Sequence, residues 1–370
     1  MTRSGPIRVL VVDDSAIVRK VLSTILGAES DIEVVGTAPD PYIARDRILS
    51  LKPDVLTLDI EMPRMDGLTF LDRIMRFHPL PVIVISSLAQ SSTKAAMEAL
   101  SRGAVDVLAK PGGPYSVGDL KEDLPRRVRA AAAARTRSLP EAPAVKAAPV
   151  PAAAPARAVP VAPVTPQVRS AGPPMAPGTL IAIGASTGGT QAIERVIREL
   201  PPETPPVVIA QHIPPVFSAA FADRLNRIAR VEVREARGEE MLEAGLVLVA
   251  PGGKHLVVSS AGPGRWRARL DDGPKVCYQK PSVDVLFRSV AREAGSKALG
   301  VILTGMGSDG ADGLAAMRAA GAWTVAQDEA SCVVFGMPRE AIERGAAIKV
   351  LPLDQIGPAL LRQTSLAHAS

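Results

Sequence analysis

Cysteine is nearly absent: the 370 residues contain two, Cys277 and Cys332. That excludes a disulfide framework and fits a reducing compartment. Aromatic residues are also scarce, at 3%, although 47% of the chain is hydrophobic. Its cores must therefore be built from Val, Ile, Leu and Ala, which suits parallel sheets covered by helices. No apolar run approaches the roughly 18 residues of a membrane span. Ile7–Val12 comes almost at the start, with no signal-peptide core or cleavage site before it. Together these absences predict a cytoplasmic protein.

The length is too great for one ordinary core and suits two domains with a linker. A net charge of +5 raises the question of a nucleic-acid partner. The distribution of charge argues against one. Between Arg126 and Gly178, eight arginines and lysines face only Glu141, which more than accounts for the excess. The rest of the chain is slightly acidic, and no folded face is marked as a DNA reader. From Leu139 to Pro177 the sequence is mostly Ala, Pro and Val and holds about a third of the prolines, the composition of an extended tether. The division that follows is a first domain over residues 6–128, a flexible linker over 129–177 and a second domain over 178–362. The Ala/Arg-rich stretch Arg126–Arg137 is expected to prolong the last helix of the first domain.

In the first domain, short apolar runs alternate with helical patterns: Ile7–Val12, Glu33–Thr37, Val55–Leu58, Val82–Ile85 and Val105–Leu108 read as strands. Five βα repeats predict a doubly wound (βα)5 sheet, whose ligands collect at the carboxyl ends of the strands. Asp13, Asp14, Asp59, Ser86 and Lys110 all fall at such ends. Converging carboxylates repel one another unless a hard cation intervenes, and Mg²⁺ prefers oxygen ligands. Asp59 ends the middle strand and is the natural phosphoryl acceptor. Asp13 and Asp14 would hold the metal, while Ser86 and Lys110 would contact the phosphoryl group. Any one of these acids could be a helix cap or turn residue, but the complete set at separate strand ends is hard to read that way. It resembles the response-regulator receiver family over roughly Ile7 to Val128. The resemblance implies phosphoryl transfer from a histidine kinase to Asp59 and a metal contact from the Glu61 carbonyl. The family's usual aromatic switch position corresponds to Val107, a departure from the pattern.

The second domain repeats the βα grammar as a larger parallel-sheet α/β domain. Strands are expected at Leu180–Ile183, Val207–Ala210, Leu246–Val249, Gly300–Leu303, Thr324–Ala326 and Ile348–Leu351, with a hairpin inserted over His255–Leu270. Ile183-Gly184-Ala185-Ser186-Thr187-Gly188-Gly189-Thr190 fits Gly-x-Ser-x-Gly between a strand and a helix. Such a turn could serve a serine nucleophile or cradle a phosphate; no Lys follows the glycines, which disfavours a Walker-type loop. Of the four histidines, His78 precedes a proline in the first domain and His368 lies in the tail. His255 begins a strand after a turn. His212, at a strand's carboxyl end, is best placed as a base. Asp309 and Asp312 share the loop Thr304–Gly313. Asp312 reads as a first-turn acid, and Asp309 as the residue able to reach across the sheet.

These loops, with Val249-Ala250-Pro251-Gly252-Gly253-Lys254-His255 and Phe335-Gly336-Met337-Pro338-Arg339-Glu340-Ala341, resemble the chemotaxis-type protein-glutamate methylesterases, the CheB family, over about Thr179 to Leu351. The resemblance implies a Ser186–His212–Asp309 triad needing no cofactor and an oxyanion site near the amides of Thr187 and Met306. It implies release of methanol from methylated glutamates on chemoreceptors, with some members deamidating glutamines. It also implies a receiver that covers the cleft until Asp59 is phosphorylated. A monomer is expected. Two rivals compete with this reading: a receiver-linked DNA-binding regulator, and a catalytically idle binding module on a hydrolase fold. Strand–helix alternation through the second domain opposes the first rival, and the intact Ser, His and Asp set opposes the second.

Overall fold

Val, Ile and Leu runs buried on both faces form the inner strands of two parallel sheets. The computed structural model describes residues 5–87, 89–110, 116–134 and 178–366. In the first domain the order is β1 (Ile7–Val12), α1 (Ala16–Gly27), β2 (Ile32–Ala38), α2 (Pro41–Leu51), β3 (Val55–Asp59), α3 (Gly67–Phe77), β4 (Val82–Ser86), α4 (Gln90–Ser101), β5 (Asp106–Ala109) and α5 (Val117–Ala132). All pairings are parallel, in the order β2-β1-β3-β4-β5. The order reverses between β1 and β3, so a crevice opens at their carboxyl ends. Ser15, Asp40, Asp66 and Ser116 cap the helices that leave this end or begin α5, each accepting a backbone N–H of the first turn.

Helix α5 continues past the expected linker start at residue 129, to Ala132. Arg129 ties it down through Glu29 at 2.5 Å and Asp31 at 2.7 Å. Residues 135–177 of the expected tether, Pro111 and His368 lie outside the described residues.

The second domain runs β6 (Leu180–Ala185), α6 (Gly189–Arg198), β7 (Val207–Gln211), α7 (Phe217–Ile228), β8 (Glu232–Glu235), β9 (Glu240–Leu242), β10 (Leu246–Val249), β11 (His255–Ser260), β12 (Trp266–Asp271), α8 (Val283–Ala294), β13 (Ala298–Ile302), α9 (Ala311–Ala319), β14 (Trp323–Gln327), α10 (Met337–Glu343), β15 (Lys349–Leu351) and α11 (Leu353–Leu366). Seven strands form a parallel sheet in the order β15-β14-β13-β6-β7-β10-β8. The expected hairpin is β11–β12, and β9 adds a third antiparallel strand to it. Sequence reading passed over β8 and β9 because both are short and charged; β8 is the edge of its sheet, where charge discourages further pairing. The switch point lies between β6 and β13. The loops after β6, β7 and β13 therefore open into one crevice, and these carry Ser186, His212 and Asp309.

Among the described residues, no helix is long and apolar enough to cross a membrane.

Candidate active sites: an acid cluster and a covered crevice

At the β1/β3 switch point, Asp13 and Asp59 are buried and Asp14 is exposed, with ligand atoms of all three close enough to share one cation. Lys110 lies between the two buried acids, 2.9 Å from Asp13 Oδ2 and 2.7 Å from Asp59 Oδ2. Burial pushes the Asp59 carboxyl up to about 6, and Asp13 beside it adds to the rise against the pull of Lys110. Asp13 is raised as well, chiefly by burial. One ammonium does not compensate these acids, and hard oxygen ligands this close fit Mg²⁺. The Glu61 carboxylate turns elsewhere: it accepts from Ser87 Oγ at 3.2 Å and from Ser92 Oγ. Only its backbone is left to face the cluster. Ser86 Oγ, buried at the end of β4, makes a long bond of 3.2 Å to the Ser92 carbonyl, so it is weakly held. Val107 is buried within β5.

The crevice of the second domain is held together by its backbone. The Ser186 amide donates to the Thr304 carbonyl and the His212 amide to the Ala185 carbonyl, each at 3.0 Å. The loops around Ser186 need glycine at two places. Gly188 sits at φ +76, where an added Cβ would meet Val333 at 2.5 Å, and a Cβ on Gly305 would lie 2.7 Å from Ser186 Cβ. His212 Nε2 is 2.7 Å from Asp309 Oδ2. Asp309 also accepts from Ser282 Oγ at 2.7 Å and from the amides of Val283 at 2.7 Å and Asp284 at 3.0 Å. Burial alone would raise the Asp309 carboxyl, but the bond to His212 and these donors hold it below its ordinary value. An ionised Asp309 fixes the proton on Nε2. The other ring nitrogen, Nδ1, is buried without a partner among the described residues, so its lone pair is available. Ser186, Thr187, His212, Met306 and Asp309 line one cavity of about 330 Å³.

The remaining candidates separate cleanly. His255 accepts from the Ser282 amide at Nδ1 and meets the Pro274 carbonyl at Nε2, a structural role. Asp312 is exposed and pairs with Arg344 at 2.5 Å. Several contributors escaped sequence reading. Gln211 Nε2 donates to the Ser186 carbonyl at 2.8 Å and the His212 carbonyl at 3.1 Å, joining the two loops. Thr304 Oγ1 donates to the Thr187 carbonyl at 3.0 Å. Ser282 was legible as a helix cap, since it precedes the periodic run Val283–Ala294; its second bond, to Asp309, was not.

The first domain roofs this cavity. Arg126, Arg127 and Ala130 of α5 line it together with Ser186 and His212. Thr187 Oγ1 donates to Asp106 Oδ2 at 3.0 Å, and Asp106 Oδ1 accepts from Arg127 at 2.5 Å and from the Val107 amide at 2.8 Å. Gln191 of α6 donates to the Leu100 carbonyl at the end of α4. Lys275 pairs with Glu122 of α5 at 2.9 Å. One carboxylate, Asp106, thus touches the backbone of Val107 on one side and the residue after Ser186 on the other.

Two doubly wound domains, one with a carboxylate cluster and one with a covered Ser-His-Asp crevice, define a receiver-linked α/β enzyme. A family model of the response regulator receiver domain matches residues 9–119, and one of CheB methylesterase matches residues 181–360. A protein-glutamate methylesterase/protein-glutamine glutaminase of Anaeromyxobacter dehalogenans is 55% identical over 359 residues, covering 96% of this chain and 94% of its own length. The enzyme of that description from Escherichia coli K12 is 47% identical over 365 residues, 98% of each chain. Among solved structures, the Thermotoga maritima CheB methylesterase catalytic domain is 38% identical and covers 50% of this chain and 98% of its own, with a TM-score of 0.49. The chain belongs to the CheB methylesterase family of response regulators.

Proposed function

We propose that this protein is a cytoplasmic, monomeric, phosphorylation-controlled hydrolase that removes methyl groups from glutamyl methyl esters of chemoreceptors and also deamidates receptor glutamines. Residues 6–128 serve as the receiver and 178–362 as the catalytic domain. The observation that carries the reading is the Asp309–His212 pair beside Ser186, in a crevice roofed by α5. His212 Nδ1 takes the Ser186 proton as Oγ attacks the ester carbonyl. Asp309 holds the imidazole in register and stabilises the imidazolium. The Ser186 amide is taken by Thr304, which leaves the amides of Thr187 and Met306 as oxyanion donors; one such donor is worth about 2.7–4 kcal/mol. His212 returns its proton to the departing methanol. Water, deprotonated by His212, then releases the glutamate and restores Ser186. In this scheme Ser186, His212 and Asp309 carry the reaction without a cofactor.

In the receiver, Asp13, Asp14, Asp59 and the Glu61 carbonyl would hold Mg²⁺, which supplies positive charge for phosphoryl transfer from a histidine kinase. Asp59 accepts the phosphoryl group, with Lys110 and Ser86 contacting its oxygens. Phosphorylation favours a receiver arrangement that leaves the crevice, and this begins at Asp106, which joins β5 to Thr187. With Val107 in the usual aromatic position, the change travels through this carboxylate and not through a rotating ring. The test is methanol release from methylated receptors: the wild-type chain should release it and Ser186→Ala should not. A variant releasing methanol at the wild-type rate would overturn the assignment.

A further inference from the structure

The segment Val276–Gln279 is a two-residue hairpin turn: the Val276 amide donates to the Gln279 carbonyl at 3.0 Å, and the Gln279 amide returns to the Val276 carbonyl at 2.8 Å. Both central residues are left-handed, Cys277 at φ +50 and Tyr278 at φ +61. Turns of this kind normally carry Asn-Gly, because Gly and the short polar Asn tolerate the left-handed region that bulkier side chains avoid. A tyrosine held in such a position marks a functional element. Cys277, Tyr278 and Gln279 wall the cavity that holds Ser186 and His212, so a protein-borne ester reaching Ser186 passes this tip.

Helix α5 shows what the tip can hold. Lys275 Nζ lies 2.9 Å from Glu122 and 3.7 Å from Asp119, and the Arg126 guanidinium stands 5.8 Å from the centre of the Tyr278 ring. Asp119, Glu122 and Arg126 are spaced three and four apart and share one face of the helix. A second cavity, of about 260 Å³, continues from the first along α5, bounded by Asp119, Lys275 and Pro215. The groove therefore accommodates about three turns of helix, some 16 Å from Asp119 to Ala130. Yet Tyr278 is still 72% exposed under α5, so the receiver leaves most of the ring's surface uncovered.

We infer that the Lys275–Gln279 tip reads the substrate protein: Lys275 pairs with a carboxylate one to two helical turns from the esterified glutamate, and Tyr278 packs on the helix between them. In the closed protein, Glu122 and Arg126 of α5 hold those places. This rests on the proposed esterase activity. It gives Lys275 and Tyr278 a role in specificity.

The test uses the full chain saturated with Mg²⁺ and beryllofluoride, so that contacts with the receiver do not limit the rate. The substrates are a methylated receptor and p-nitrophenyl acetate. Lys275→Glu is expected to raise KM for the receptor about tenfold with kcat little changed, to weaken the salt dependence of that KM, and to leave p-nitrophenyl acetate turnover undiminished. Tyr278→Asn, which keeps a residue tolerant of the left-handed backbone, should raise the receptor KM without lowering turnover of the small ester. Receptor KM values equal to wild type in both variants would reduce the tip to a contact for the receiver and overturn the inference. An equal loss on both substrates would make it structural and overturn the inference too. A wild-type chain that cleaves the small ester but releases no methanol would overturn the esterase reading itself, a distinct result.

Discussion

The two crevices sit at corresponding places in two doubly wound sheets, but they solve the problem of buried charge in opposite ways. In the receiver, Asp13 and Asp59 are buried side by side with one lysine between them, and burial raises both carboxyls. In the catalytic domain, Asp309 is buried too, yet it is held low by His212, Ser282 and the first amides of α8. The receiver site is completed by something that arrives, a cation and a phosphoryl group. The catalytic site carries its own compensation. A switch needs the first arrangement, and a catalyst that must be ready in one geometry needs the second.

The contrast can be tested from the catalytic side first. Ser186→Ala should lower kcat by about 10⁶-fold, and Asp309→Asn by about 10⁴-fold through loss of the correct imidazole tautomer. Both are read as methanol release. Because the Asp309 carboxyl lies below its ordinary value, the stability it contributes is present above the ordinary carboxylate range and lost only as pH falls through its lowered value. No Asp309-dependent loss of activity should therefore appear at pH 5 or above.

Asp106 joins the two halves. Asp106→Asn keeps an acceptor for Thr187 but makes that interdomain bond neutral, and it loosens Arg127 on the helix that roofs the cavity. Charged hydrogen bonds are worth about 1.5–3 kcal/mol, so activity without phosphodonor should rise about tenfold or more. An unchanged basal rate would remove Asp106 from the control path.

On the receiver side the sign reverses. The raised Asp59 carboxyl contributes stability to the cation-free receiver that is fully present below the ordinary carboxylate range and is lost as pH rises through about 6. Mg²⁺ at a hundred times its Kd should add about 2.7 kcal/mol, with a larger rise in Tm at pH 7.5 than at pH 5. Asp13→Asn should remove most of that increment. Chelation should leave turnover of a small ester by the catalytic domain untouched, which separates the two sites directly.

The smallest effect is expected at Ser282, whose hydroxyl caps α8 and braces Asp309. Ser282→Ala should cost about 1 kcal/mol of stability. It should also lower kcat/KM for methanol release, because Asp309 loses one of the donors that fix its position beside His212. Ser282→Thr should restore kcat/KM.

The strands with continuous Val, Ile and Leu runs were legible in the sequence, because burial on both faces leaves no other composition. The ends of those strands were legible with them, and so were Asp13, Asp59, Ser186 and His212. The choice of Asp309 over Asp312 was harder, since both lie in one glycine loop; burial and the reach to His212 separate them. Gln211, Thr304 and Ser282 act through bonds that link loops far apart in sequence, and no local pattern announces such pairs. The prolongation of α5 past residue 128 was legible in its Ala/Arg composition, but the partners of its arginines were not: Arg126, Arg127 and Arg129 are each paired with a carboxylate of the receiver, and two of them roof the catalytic cavity.

The central claim is that the receiver covers a competent esterase and uncovers it when its acid cluster is completed. The most direct measurement is methanol release from a methylated receptor by the full chain, with and without Mg²⁺ and beryllofluoride, in wild type and Asp59→Ala. The account predicts a rise of at least tenfold in wild type and none in Asp59→Ala. Equal rates with and without the phosphoryl mimic in an active wild-type chain would contradict it.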